Sequence, residues 1–265
     1  MTIHSKTSRK QYLKNMNSIK SIVLLIVSIA ISTSVVAQTA TDIITEMDEK
    51  LRGESNRAEI TMTIVRPTWE RSVSMKTWSK GNEYSLIYIT SPARDEGISY
   101  LKRDNEIWNW VPNIGRTVKL PPSMMMQSWM GSDFTNDDLV RESSVIKDYD
   151  HSFGADSTIE GNDCFQIILD PKPDAPVVWG QLKIWVTKDE YIQLRTEFYD
   201  EDGYLINLME AFDIQDFDGR LLPGKMIMTP IEDPGNQTIL EYQSMKFNER
   251  IRDSFFSVQN MKRVN

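Results

Sequence analysis

The sequence predicts a mainly β protein built from short antiparallel strands joined by hairpins. Period-two alternation of apolar and polar residues recurs along the chain, the mark of sheets with one wet face. Turn-forming clusters punctuate those runs: "KGNE", "KRDNE", "TKDE", "DEDG", "DFDG" and "EDPGN". No long helical pattern lies between the runs, which argues against a parallel βαβ sheet. No internal repeat and no low-complexity linker interrupts them.

The first 37 residues are of another kind. They hold five of the chain's 30 basic residues (Lys6, Arg9, Lys10, Lys14, Lys20) and none of its 38 acidic ones. An apolar run from Ile22 to Ile31 follows, then "STSVVAQ", with small residues at Val35 and Ala37. This order is that of a secretory signal peptide, with cleavage expected between Ala37 and Gln38. Met16 is an alternative start, because "MNSIKSIVLLIVSIA" is already a complete signal. The apolar core of about 10 residues is short for a membrane span of roughly 20, so an uncleaved anchor is the weaker alternative. No cysteine follows the run to accept a lipid. Cleavage would take the formal net charge from −8 to −13, since only basic residues are lost. That balance argues against a general affinity for nucleic acid or anionic lipid surfaces. The expected product is a soluble periplasmic protein, residues 38–265, folded as a single domain. Cys164 is the lone cysteine. It excludes an intramolecular disulfide and, in the strand-like "CFQIILD", reads as a buried thiol.

The mature chain opens on a helix from about Thr41 to Arg52. Ile43, Ile44, Met47 and Leu51 share one face, Thr39 or Thr41 caps the start, and Gly53 suits the stop. In "RAEITMTIV", Ala58, Ile60, Met62 and Ile64 oppose Glu59, Thr61 and Thr63. In "RSVSMKTW", Val73 and Met75 oppose Ser72, Ser74 and Lys76. In "QLKIWVTK", Leu182, Ile184 and Val186 alternate with Gln181, Lys183 and Thr187. A short helix is expected in "GSDFTNDDLVRES", capped by Thr135 or Asn136, with Asp137 and Asp138 in its first turn. From about Val145 the strand pattern resumes. A last helical turn in "DSFFSV" pins the C-terminus through Phe255 and Phe256.

Few chemical motifs are present. His4 and His151 are the only histidines, so no HExxH or His-Cys cluster supports a zinc site. A nucleophile elbow is also absent. The acidic turns fail as EF-hands: "DFDG" would put Ile214 at loop position one and Lys225 at twelve, and "DEDG" would put Phe198 and Met209 there. They read as hairpin turns. No carboxylate pair stands out for glycoside hydrolysis. These readings give no catalytic residue, no metal and no cofactor.

The segment "KLPPSMMMQSWMGSDF" (Lys119 to Phe134) is the exception to ordinary loop composition. Methionine is soft and adaptable, and it is over-used on surfaces that fit varied apolar partners. Met124, Met125 and Met126 cannot all point one way in a regular element. Some must face a second apolar surface. Two readings stand: a loop plugged into the end of the core, or an adaptable lid over a hydrophobic cavity.

The same region resembles a known family. "EIWNWVPNIGRTVKLPPSMMMQSWMGSDFTNDDL" is similar to the outer-membrane lipoprotein-sorting proteins of the LolA-like superfamily. "WNWVPNIGR" and then "MGSDFTNDDL" carry the likeness, with the core Gly131-Ser132-Asp133-Phe134 followed by Asp137-Asp138-Leu139. The helix ending "EKLRG" and a later strand followed by "LDPKP" also fit. The resemblance implies a strongly curved antiparallel sheet, an unclosed half-barrel, with helices covering its concave face. It implies a non-catalytic carrier that holds acyl chains of a lipoprotein or lipid on the way to the outer membrane. An inner-membrane transport complex and an outer-membrane acceptor are the implied partners. The candidate ligand-binding residues are Met62, Met75, Met124, Met125, Met126, Trp129, Met130 and Phe134. Arg66, Arg71 and Arg116 are all candidates for the arginine that locks the carrier's lid. Each buried methylene contributes about 0.8 kcal/mol, so an acyl chain can bind without specific polar contacts. The alternatives are a carbohydrate platform built on Trp108 and Trp110, two residues apart on one strand face, and a structural β-domain without a lipid cavity.

Overall fold

A computed structural model describes residues 38–104, 106–140 and 144–264. The expected signal peptide, residues 1–37, lies outside the described residues. Among them, no helix is long and apolar enough to cross a membrane.

The first helix, α1 (Ala40–Arg52), forms as its sequence directs. Thr39 Oγ1 accepts from the Asp42 backbone N–H, and the Asp42 carboxylate accepts from the Thr39 N–H at 2.8 Å. These reciprocal bonds satisfy donors that a helix start leaves open. The Thr39 N–H and, second, the Thr39 hydroxyl donate to the Asp42 carboxylate and hold it below the usual range. At the other end Gly53 takes φ +61°, and Arg220 donates to the carbonyls of Glu49 and Lys50, each at 2.8 Å. Ile43, Ile44 and Met47 are buried against the sheet.

Strands β1 (Ser55–Arg66), β2 (Trp69–Lys80), β3 (Tyr84–Ser91), β4 (Ser99–Arg103), β5 (Glu106–Val111) and β6 (Arg116–Lys119) follow. Two short helices come next, α2 (Asn136–Val140) and α3 (Ser144–Lys147). The second run comprises β7 (Tyr149–Phe153), β8 (Ser157–Ile159), β9 (Asn162–Pro171), β10 (Gln181–Thr187) and β11 (Gln193–Tyr199). It ends with β12 (Leu205–Phe217), β13 (Arg220–Pro230) and β14 (Gln237–Phe247). All fourteen belong to one antiparallel sheet ordered β6-β5-β4-β3-β2-β1-β14-β13-β12-β11-β10-β9-β7, with β8 paired to β9. Its two edges, β6 and β7, do not meet, so the sheet is not closed. The hairpins carry the expected turn chemistry. Between β12 and β13, Asp218 and Gly219 both have positive φ (57° and 84°), the type I′ geometry that matches strand twist.

The sheet must be rolled. Ile87 on β3 and Leu182 on β10 line the same cavity, yet their strands stand seven places apart in the sheet order. A flat sheet at about 4.8 Å per strand would separate them by roughly 34 Å. One continuous inner core joins α1 to residues of both wings, among them Met62, Val73, Ile184 and Phe198. This is the half-barrel with its concave face covered.

The outer face is not uniformly wet. Phe256 and Met261 of the C-terminal segment are fully buried against Leu86 and Leu101, with Phe255 partly buried beside them. Phe255 and Phe256 are the expected pins, whereas Met261 and the outer-face partners are additional. On the other wing, Trp185 and Cys164 are buried with Ile192 and Leu194. The face of β10 expected to be polar is therefore interrupted by Trp185, and Thr187 is also buried, at 3% exposure. Burial pushes the Cys164 thiol up in pKa, which keeps it unreactive.

Candidate functional site

The rolled sheet and α1 enclose a cavity of about 220 Å³. For scale, an apolar void of about 150 Å³ stays dry and takes up benzene. Its apolar wall comes from in-phase residues on many strands. Met75, Ile184, Phe198, Met209, Met226 and Leu240 contribute from the sheet, Met47 and Leu51 from α1. Trp179, in the β9–β10 connection, stacks at a tilt on Phe198, with ring centroids 5.1 Å apart.

One side of the cavity is closed by the segment that follows β6. Thr135 and Asp138 form a second capping pair at the start of α2: Asp138 N–H donates to Thr135 Oγ1, and Thr135 N–H to the Asp138 carboxylate at 2.8 Å. The other carboxylate oxygen of Asp138 accepts from Trp179 Nε1, also at 2.8 Å. The helix start is thus fixed to the opposite wing through a residue that itself lines the cavity. Burial pushes the Asp138 carboxyl above its usual range, only partly offset by these hydrogen bonds.

The turn before α2 is strapped by arginines. Arg66, at the end of β1, makes a forked contact to Asp133 (3.1 and 3.0 Å) and donates to the Gly131 carbonyl at 3.0 Å. Asp133 also accepts from Thr238 Oγ1 at 2.6 Å. Arg71 donates to the Met130 carbonyl at 3.2 Å and pairs with Asp95 at 2.7 Å. Of the three arginines singled out in the sequence, Arg66 and Arg71 therefore hold this turn, whereas Arg116 is exposed on β6.

The candidate ligand-binding residues separate by position. Met75 and Phe134 line the cavity. Met62, Met125 and Trp129 are buried in the adjoining inner core, with Trp129 against Tyr100 at 5.3 Å between ring centroids. Met124 and Met130 are half-buried, and Met126 is exposed at 71%. The three consecutive methionines do point different ways, one into the core and one into solvent. Lining residues of the second wing, such as Phe198, Met209 and Leu240, did not stand out in the sequence. Their only signal was an in-phase apolar position, which core residues share. Trp108 and Trp110 lie on the outer face, half-buried beside the C-terminal segment, with Lys262 Nζ 5.0 Å from the Trp110 ring centroid. They do not form an open platform. Among the described residues, no cluster of His, Cys, Asp and Glu could hold a metal ion.

A family model described as "Uncharacterized protein" matches residues 81–263. The chain belongs to that family. The family's match spans β3 to the C-terminal segment, and so takes in both wings and the strapped turn. No curated protein matches the chain. Solved structures extend the comparison. A domain described as an outer membrane lipoprotein-sorting protein, from Vibrio parahaemolyticus, is 20% identical with TM-score 0.76, covering 84% of this chain and 98% of that one. A LolA superfamily protein from Nitrosomonas europaea is 23% identical with TM-score 0.73, covering 84% and 99%. A DUF1329 family protein from Desulfovibrio piger is 23% identical with TM-score 0.75, covering 84% and 97%. The half-barrel expected from the sequence resemblance is thus the fold shared with LolA-superfamily and lipoprotein-sorting proteins.

Proposed function

We propose that this protein is a non-catalytic periplasmic carrier that holds acyl chains of a lipoprotein or lipid during transfer towards the outer membrane. The observation that carries the reading is the apolar cavity inside the rolled sheet, beside a turn strapped by Arg66 and Arg71. Apolar ligand sites are concave, mostly hydrophobic and largely pre-formed, and this one has those properties. The shared fold supports the reading, because the Vibrio and Nitrosomonas proteins are described as lipoprotein-sorting and LolA superfamily proteins. In this reading the signal peptide is removed after Ala37. The turn at Gly131–Asp133 acts as the hinge of a lid that opens for the chain. An inner-membrane transport complex supplies the cargo and an outer-membrane acceptor receives it. The acidic net charge leaves nucleic acid out of the partner list.

Native mass spectrometry of protein isolated from its own cell envelope tests this. A lipid-sized mass adduct, lost on denaturation, is expected on a chain beginning at Gln38. Protein that carries no adduct and takes up no added fatty acid would overturn the proposal.

A further inference from the structure

The cavity has two unlike ends. One is the row Asn56, Ser79 and Ser85, paired across β1, β2 and β3 beside the β2–β3 turn. The other is formed by Phe134 and Phe198. Phe134 follows the strapped turn directly. Phe198 pairs with Asn207, whose Nδ2 donates to the Asp133 carbonyl at 3.3 Å. Between the two ends, Asn56 lies six residues before Met62 on β1, and Met62 pairs with Leu240 of the cavity wall. At about 3.3 Å per residue that is roughly 20 Å of strand.

The ends differ in their access to water. Among the described residues that line the cavity, Gly81 of the β2–β3 turn alone is exposed, and Leu51, Arg52, Asn56, Ser79 and Ser85 around it are half-buried. At the other end Phe134, Trp179, Phe198 and Met209 are all buried. Hydrogen bonds close that end, from Trp179 to Asp138, from Asn207 to the Asp133 carbonyl, and from Arg66 to Asp133. Polar composition does not choose between the ends, because Asp137 and Asp138 line the closed one. Access does. The open rim is also braced: the Gly81 N–H donates to the Glu54 carbonyl at 3.0 Å, and Arg220 holds the Glu49 and Lys50 carbonyls of α1.

We infer that the acyl ligand enters and leaves between the last turn of α1 and the β2–β3 hairpin, tail first. It rests with its polar end at this rim and its methyl end against Phe134 and Phe198. Each methylene gains by burial, whereas a polar group taken from water without a hydrogen-bond partner is penalised. The polar end therefore stays where water reaches it. The ionic groups at the rim are engaged within the protein, Asp48 with Arg52 at 2.7 Å and Lys102 with the Asn82 carbonyl at 2.6 Å. The rim thus sets the ligand's orientation and leaves its head chemistry open. This inference rests on the carrier reading and places the mouth at the end away from the proposed hinge.

Two photo-reactive palmitates test it on the mature protein, one with a diazirine beside the carboxyl and one with it near the methyl end. The first is expected to label peptides containing Asn56 or residues 79–85, the second peptides containing Phe134 or Phe198. Stopped-flow uptake of the neutral dye Nile red reads the route. Ser85→Trp narrows the rim, so uptake and release should both slow several-fold while the affinity hardly moves, because the contacts of the closed end are kept. Should Ser85→Trp fail to fold, the two probes decide alone. Carboxyl-side label at residues 131–134, the same peptides labelled by both probes, or wild-type rates in folded Ser85→Trp would overturn this route while the carrier reading stands. If neither probe labels the cavity and the dye does not bind, both fall.

Discussion

Met125 and Met126 are neighbours in sequence with opposite environments. Met125 is 5% exposed in the inner core, and Met126 is 71% exposed. Removing a buried methionine side chain costs about 2–5 kcal/mol, whereas an exposed substitution stays within about 0.5 kcal/mol. Chemical denaturation of Met125→Ser should therefore show a loss of about 2 kcal/mol or more, and Met126→Ser almost none. Equal losses would contradict this placement. Asp138 gives a second prediction at this scale. Its folded-state pKa is raised by burial, so the folded protein binds a proton there more tightly than the unfolded chain. The stability from protonation is present below the ordinary carboxylate range and is lost as pH rises through the raised value. The destabilisation of Asp138→Ala should be larger near the ordinary carboxylate pKa, about 4, than at neutrality. A penalty that grows with pH would reverse the sign. The sequence made the α2 cap legible, because Thr135 and Asp138 are local to each other. It could not reveal the Trp179 partner, which is 41 residues away and marked by no motif.

At the scale of elements, the turn from Met130 to Asp133 is tied down by Arg66, Arg71 and Thr238. Arg66 and Asp133 are both largely buried, with side chains 14% and 8% exposed. Removing one partner of a buried pair leaves the other uncompensated, at about 3–5 kcal/mol. Arg66→Ala should therefore destabilise the protein by about that amount and speed amide hydrogen exchange at residues 131–134 more than in β12 or β13. If exchange stays unchanged in the turn, the arginine does not hold it. Arg66 was one of three arginines the sequence left open, since a pair 67 residues apart gives no local pattern. α1, by contrast, was legible almost to the residue. Its capping threonine, apolar stripe and terminal glycine all lie within the helix or beside it.

At the scale of the whole molecule, period-two alternation made the strands and their inner faces readable, and the turn clusters marked the hairpins. Alternation says which side of a strand is apolar, but not that the sheet rolls far enough to bring Ile87 and Leu182 to one cavity. The resemblance in residues 106–139 supplied that curvature. Alternation also missed the outer-face clusters around Phe256 and Trp185. There a second apolar layer covers residues whose alternating pattern assigns them to solvent. The central claim is that an acyl chain occupies the inner cavity. Photo-crosslinking with a fatty acid that carries a diazirine near its tail, followed by peptide mapping, tests it most directly. We predict that label concentrates on peptides containing Phe134, Met209, Met226 and Leu240. Label confined to the outer face around Trp108 and Trp110, or no label at all, would contradict it.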